Sequence, residues 1–333
     1  MSKSVPSLSP GPILVLGGGG LKGIAHIGAW KALEEAGLAP SSIIGTSIGS
    51  FVGAGISMGI PSDELWEQGL KAGRSRIARL SLRSIWIRGV QQPSVLRGDV
   101  FEDYVREILD GAPEGEGARI PFQANAVCLD SGQEVWMGTE DAPGDDVVCG
   151  IDLPRVVAAS CALPASYPPV EIDGRLYVDG GVRNTLGVRR AATVGAPWII
   201  AVDVAGPSGV PASKVVDYGM VAISGRVLSL MSTTVREAQL ASWSGPKMFH
   251  VRPPLDDLAG TEFDQNERLL EDGYRSMKQA LEESILPAME AVPPSDGEAG
   301  GRSLIGKVKA AVRLLGGRGP RSGESVAEVG AAS

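Results

Sequence analysis

The chain has 333 residues, 43% hydrophobic and 21% charged, enough to bury a full core as one large domain or two small ones. Its net charge is −8, yet residues 302–321 hold Arg302, Lys307, Lys309, Arg313, Arg318 and Arg321 and no acid. An acidic body with one basic tail argues against general nucleic-acid binding and leaves open a peripheral contact of the tail with anionic membrane. The opening MSKSVPSLSPGP has no apolar run, and no uninterrupted apolar stretch reaches about 18 residues, so neither a secretory leader nor a membrane span is expected and the setting reads as cytoplasmic. Cys128, Cys149 and Cys161 lack metal-type spacing and read as reduced thiols in packing positions; no metal or cofactor is expected.

In chain order, residues 1–10 read as a disordered lead and 11–292 as one domain. ILVL (13–16) predicts a strand, GGGG (17–20) a loop, and LKGIAHIGAWKALEEAG (21–37) a largely apolar helix stopped by Gly37. Ile43-Ile44 is a second short strand, and Gly45-Thr46-Ser47-Ile48-Gly49 turns it into another helix. Strand–turn–helix twice over predicts an α/β fold with a mostly parallel sheet. Residues 61–110 read as helical, with Arg74, Arg76, Arg79, Arg83, Arg88 and Arg97 beside Trp86, either an interfacial cap or a solvated helix pair. Two hairpins follow, one around Ser131-Gly132 and one within 171–181, with a helix at 152–162 between them. WIIAVDV (198–204) is a buried strand, 214–242 is helical, 247–254 is a strand, and 264–291 is a closing helix. Residues 293–303 have linker composition, and 304–333 form a tail with a disordered end. Within the tail, Leu304, Ile305, Val308, Ala311, Val312 and Leu315 gather on one helical face with basic residues behind. That pattern fits a helix lying on anionic membrane, or one docked on its own domain.

Two glycine motifs carry the chemistry. A G-x-S-x-G turn, here Gly45 to Gly49, swings a strand sharply into a helix and exposes the serine oxygen of Ser47. Gly17 to Gly20, followed by Leu21-Lys22-Gly23, presents backbone N–H groups at a helix start, where an anion binds. The dinucleotide reading of Gly18, Gly20 and Gly23 lacks the acid required about 20 residues further on, and Gly23 stands where an NTPase loop needs Ser or Thr. An oxyanion is the anion that remains. The serine needs a base. Of the two histidines, His26 sits among Ile24, Ala25 and Ile27 and reads as core, whereas His250 lies late in the chain, where a Ser…Asp…His order puts it. Asp179, at a strand end before Gly180 and Gly181, is the rival, because a carboxylate in direct reach serves as base where water is scarce. The chemistry alone leaves both open.

Four stretches, LVLGGGGLKGIAHIG (14–28), IIGTSIGS (43–50), VVAASCALPASYPPV (156–170) and LYVDGGVRNTLGV (176–188), resemble the patatin-like phospholipases, particularly the small bacterial cytosol-type members, over roughly residues 11–290. The resemblance implies a three-layer α/β/α sandwich with a mostly parallel sheet, and a serine acyl hydrolase cleaving phospholipids, lysophospholipids or other fatty-acyl esters. It implies Ser47 as nucleophile, Asp179 as general base, and an oxyanion hole at Gly18, Gly19 and Gly20. Lys22, Gly23, Gly45, Gly49, Gly180 and Gly181 complete the motifs. Many relatives have prolines after the Asp-Gly-Gly loop; Thr185 and Gly187 here suggest a looser loop. The competing readings are a Ser-His-Asp esterase using His250 and a lipid-binding regulator with little turnover.

Overall fold

The computed structural model describes residues 11–73, 77, 80, 93–113, 117–206, 210–217, 219–258, 264–291, 306, 308–312 and 327–329. Most of the arginine-rich 74–97 stretch, including Trp86, lies outside them, as do the linker and most of the tail.

The sheet is built on β1 (Ile13–Leu16), flanked by β2 (Ser42–Gly45) and β8 (Trp198–Val202), with β9 (Lys247–Val251) beyond β8, all parallel. On the other side β2 leads to β3 (Phe122–Cys128), β4 (Glu134–Gly138) and the short β5 (Val147–Val148). A hairpin of β6 (Val170–Ile172) and β7 (Arg175–Asp179) also joins β3. Strand alternation separates two cores, because successive side chains point to opposite faces. Leu14, Leu16, Ile43 and Phe249 enter one; Ile13, Val15, Ile44 and Met248 enter the other. The central strands are buried on both faces, which is why ILVL and WIIAV are continuously apolar rather than alternating.

The thick helical layer contains α1 (Ala25–Glu35), α2 (Ile48–Ser57), α3 (Ser62–Lys71), α4 (Gly98–Asp110), α5 (Leu153–Ser160) and α9 (Asn266–Ala280). Helix α10 (Leu286–Ala291) continues α9 through one wider turn. The thin layer on the other face is α6 (Val188–Thr193) with the end of α8 (Met220–Ala241), which follows the short α7 (Ala212–Asp217). The result is the three-layer α/β/α sandwich that the family resemblance implied. One start differs: Gly20–Ile24 form a 3-10 turn before α1 begins at Ala25.

The register of β3 determines where the chemistry lies. Its first half pairs with β2, Ala124 opposite Gly45, while its second half pairs with antiparallel β7, Ala126 opposite Asp179. Strands β2 and β7 therefore approach end to end along the same side of β3. Their carboxyl ends lie two residues apart, about 7 Å at the strand rise.

In the tail, Val308 and Val312 are buried in the thick-layer core, and Lys309 pairs with Glu290 of α10, the packing of a helix docked on its own domain. Leu304, Ile305 and Leu315 of the same stripe lie outside the described residues. Ala327–Val329 form β10, antiparallel to β9, where a disordered end was expected. Without β10, β9 would be the edge of the sheet, and its free backbone groups are ones that an extended segment can pair with.

Candidate active site

Ser47 stands between β2 and α2 with φ 52° and ψ −128°, a conformation that costs a non-glycine residue about 1–3 kcal/mol. Hydrogen bonds hold it there: its N–H donates to Ser160 Oγ at 2.9 Å, and its carbonyl accepts from the N–H and the Oγ of Ser50 at 2.7 and 2.6 Å. The turn is tight enough that a Cβ at Gly49 would lie 2.2 Å from the Leu16 carbonyl oxygen, and one at Gly45 2.5 Å from the Ser50 Cα. Those two glycines are steric requirements of the elbow.

The Ser47 Oγ donates to Asp179 Oδ2 at 2.6 Å, and Asp179 Oδ1 accepts the Gly181 N–H at 2.7 Å. Asp179 is 3% exposed. Burial raises its carboxyl to about 6, against the opposing pull of the hydrogen bonds from Ser47 and Gly181. A carboxylate of that basicity, touching a serine hydroxyl, is equipped to take its proton near neutral pH.

The glycine loop passes directly over this pair: a Cβ at Gly18 would lie 3.3 Å from the Ser47 Cβ. The Gly18 N–H is already donated to the Thr185 carbonyl at 2.9 Å. The donors left for an oxyanion are therefore Gly19 and Gly20, whose N–H groups have no partner among the described residues. Ile48, first residue of α2, adds a third such N–H, as the start of any helix does. Gly23 abuts Ile48, and Gly180 abuts Asn125. Lys22 is buried in the 3-10 turn, and its charge helps Arg268 hold down the carboxyl of Asp257.

The patatin-like phospholipase family model matches residues 14–192, more than half of the chain, and spans all four motif stretches. The chain belongs to the patatin-like phospholipase family. An uncharacterized NTE family protein of Mycobacterium tuberculosis is 35% identical over 62% of this chain and 52% of its own length. Lysophospholipase NTE1 of Coccidioides immitis is 28% identical over 83% of this chain and 18% of its own. Human patatin-like phospholipase domain-containing protein 6 is 27% identical over 79% and 20% respectively. The chain thus spans about half the length, or less, of these curated relatives. The crystal structure of VipD from Legionella pneumophila aligns with TM-score 0.43 and 13% identity, covering 94% of this chain and 75% of that one.

The patatin-like motif after α5 has a physical reason that the sequence did not reveal. Ser160 receives the Ser47 N–H, and the Ala162 carbonyl receives the Asp179 N–H at 3.0 Å, so one helix end positions both members of the pair. The thiol of Cys161, which follows Ser160 in the chain, lies 3.8 Å from Ser50 Oγ, and burial raises it far above the ordinary thiol range. The loop without prolines is tied rather than slack: the Thr185 carbonyl receives the Gly18 N–H, and its hydroxyl donates to Gly181 O at 3.4 Å.

Neither histidine joins the site. His26 Nε2 donates to the Gly17 carbonyl at 2.7 Å, and burial lowers its ring to about 4, so it stays neutral and props the glycine loop. His250 lies in one register row with Ala201, Val15 and Ile44, three strand spacings or about 14 Å from β2. Its Nε2 is 3.0 Å from Asp203 Oδ2, and buried Arg236 approaches the other oxygen at 3.2 Å. Among the described residues no His, Cys, Asp or Glu cluster is of a kind to hold a metal ion, and no helix is long and apolar enough to cross a membrane.

Proposed function

We propose that this protein is a serine acyl hydrolase that cleaves fatty-acyl esters of phospholipids or lysophospholipids with Ser47 as nucleophile and Asp179 as general base. The observation that carries the reading is the 2.6 Å hydrogen bond from Ser47 to a buried carboxylate raised to about 6. As the Ser47 oxygen bonds to the ester carbonyl carbon, Asp179 takes its proton. The N–H groups of Gly19, Gly20 and Ile48 stabilise the oxyanion. Collapse of the tetrahedral intermediate breaks the ester C–O bond, and Asp179 returns the proton to the departing alcohol or lysolipid oxygen. Water then attacks the acyl-Ser47 ester, giving its proton to Asp179; the bond from the acyl carbon to Ser47 Oγ breaks, Asp179 returns the proton to Oγ, and the fatty acid leaves. Family membership and the names of the relatives support the choice of lipid class.

The test is hydrolysis of a soluble short-chain ester by the full chain. Ser47→Ala and Asp179→Asn should each lower kcat/KM by at least about a thousandfold, the usual cost of losing one member of a catalytic unit. Retained turnover in either variant overturns the assignment.

A further inference from the structure

Helix α8 is amphipathic the wrong way round for a helix in water. At 3.6 residues per turn, Met220, Ile223, Val227, Leu230, Met231 and Val235 fall within an arc of about 140°, and all are exposed, Met220 to 72% and Met231 to 61%. The charged residues Arg226, Arg236 and Glu237 lie outside that arc. The inner side carries the polar groups: Arg236 pairs with Asp203, and Gln239 Nε2 donates to the Leu186 carbonyl at 3.4 Å. The arc is uncharged and, apart from Ser224 and Thr234, apolar, and an exposed face of this kind marks an interaction surface.

We infer that the outward face of α8 docks the enzyme on a neutral phospholipid surface. Three observations choose that occupant. First, the helix that carries the face adjoins the proposed site: α8 packs on the Gly180–Val182 turn whose Gly181 N–H holds Asp179, and Val182 of that turn is exposed. Leu163, one residue beyond the carbonyl that holds the Asp179 N–H, is exposed as well. Second, the apolar arc runs from Met220 to Val235, about 24 Å at the helix rise, and a face about 10 Å wide offers roughly 240 Å², well short of the about 800 Å² per partner of a stable dimer. A bilayer needs no such area or shape match, because each apolar side chain gains on leaving water. Third, the arc is uncharged and the chain carries −8, so a zwitterionic surface suits it better than an anionic one. The choice of lipid rests on the acyl-hydrolase reading, since an enzyme for acyl lipids meets its substrate at that surface.

The experiment is flotation of the full chain with phosphatidylcholine vesicles, carried out in the Ser47→Ala background so that no lipid is consumed. Binding should persist in high salt, and Leu230→Asp with Met231→Asp should weaken it at least tenfold. Leu70→Asp, an equally exposed leucine on α3, should leave it unchanged. Soluble-ester hydrolysis by the otherwise intact double variant shows that it is folded. Failure of that hydrolysis in the unmutated chain would strike the proposed chemistry and not the docking. Docking is overturned if the parent does not float, if the double variant floats equally, or if sedimentation shows a dimer that the double substitution dissociates.

Discussion

Asp179 and Asp203 each sit at the carboxyl end of a sheet strand and are almost completely buried, yet their environments drive them in opposite directions. Burial raises Asp179 to about 6 because its partners, the Ser47 hydroxyl and the Gly181 N–H, are neutral. Burial pushes Asp203 upward too, but the hydrogen bond from His250 and the charge of Arg236 outweigh it and hold the carboxyl below its usual range. A buried acid facing neutral donors is poised to accept a proton, whereas one facing cations is locked as an anion and serves as an anchor. The same residue type therefore supplies a candidate base in one region and the tether of α8 in the other.

Substituting each cluster should separate the two roles. Asp179→Asn should abolish ester hydrolysis while leaving thermal stability at pH 8 equal or higher, because the ionised carboxylate is the costly form above pH 6 and the amide is neutral. A large fall in Tm would mean that Asp179 is structural. Arg236→Met should do the reverse, destabilising the fold by about 3–5 kcal/mol in urea unfolding by leaving a buried acid short of its cation. Adding Asp203→Asn to it should recover much of that loss. A smaller effect is expected in the pH profile: kcat/KM on a soluble ester should fall as pH drops through about 6, where Asp179 becomes protonated and can no longer accept from Ser47. Asp203, held low, stays ionised across that range and should add no second limb.

Much of this was legible in the residues. ILVL, the two glycine turns and the hairpins predicted the strands that frame the site, but not their order; continuous apolar runs and forced turns are local signals. Ser47 was legible for the same reason: the bend cannot be made without Gly45 and Gly49. The choice between Asp179 and His250 was open on the chemistry and rested on the family resemblance alone, because it is the register of β3, a long-range pairing, that brings Asp179 beside the elbow. The commitment of the Gly18 N–H to Thr185 was equally hidden, as it depends on a contact across more than 160 residues. The tail was left open between lipid and core because an apolar stripe reports that a partner exists, not which it is. The outward face of α8 passed as an ordinary helix for the converse reason: which side faces water is set by its buried anchors, Arg236 and Gln239.

The central claim is that a carboxylate and no histidine activates Ser47. It is tested most directly by the rate at which a fluorophosphonate probe labels Ser47 in the full chain, Asp179→Asn beside His250→Ala. Labelling should collapse in Asp179→Asn and stay within a few-fold of the parent in His250→Ala, with circular dichroism confirming that both are folded. Rapid labelling of Asp179→Asn together with a silent His250→Ala would contradict the account.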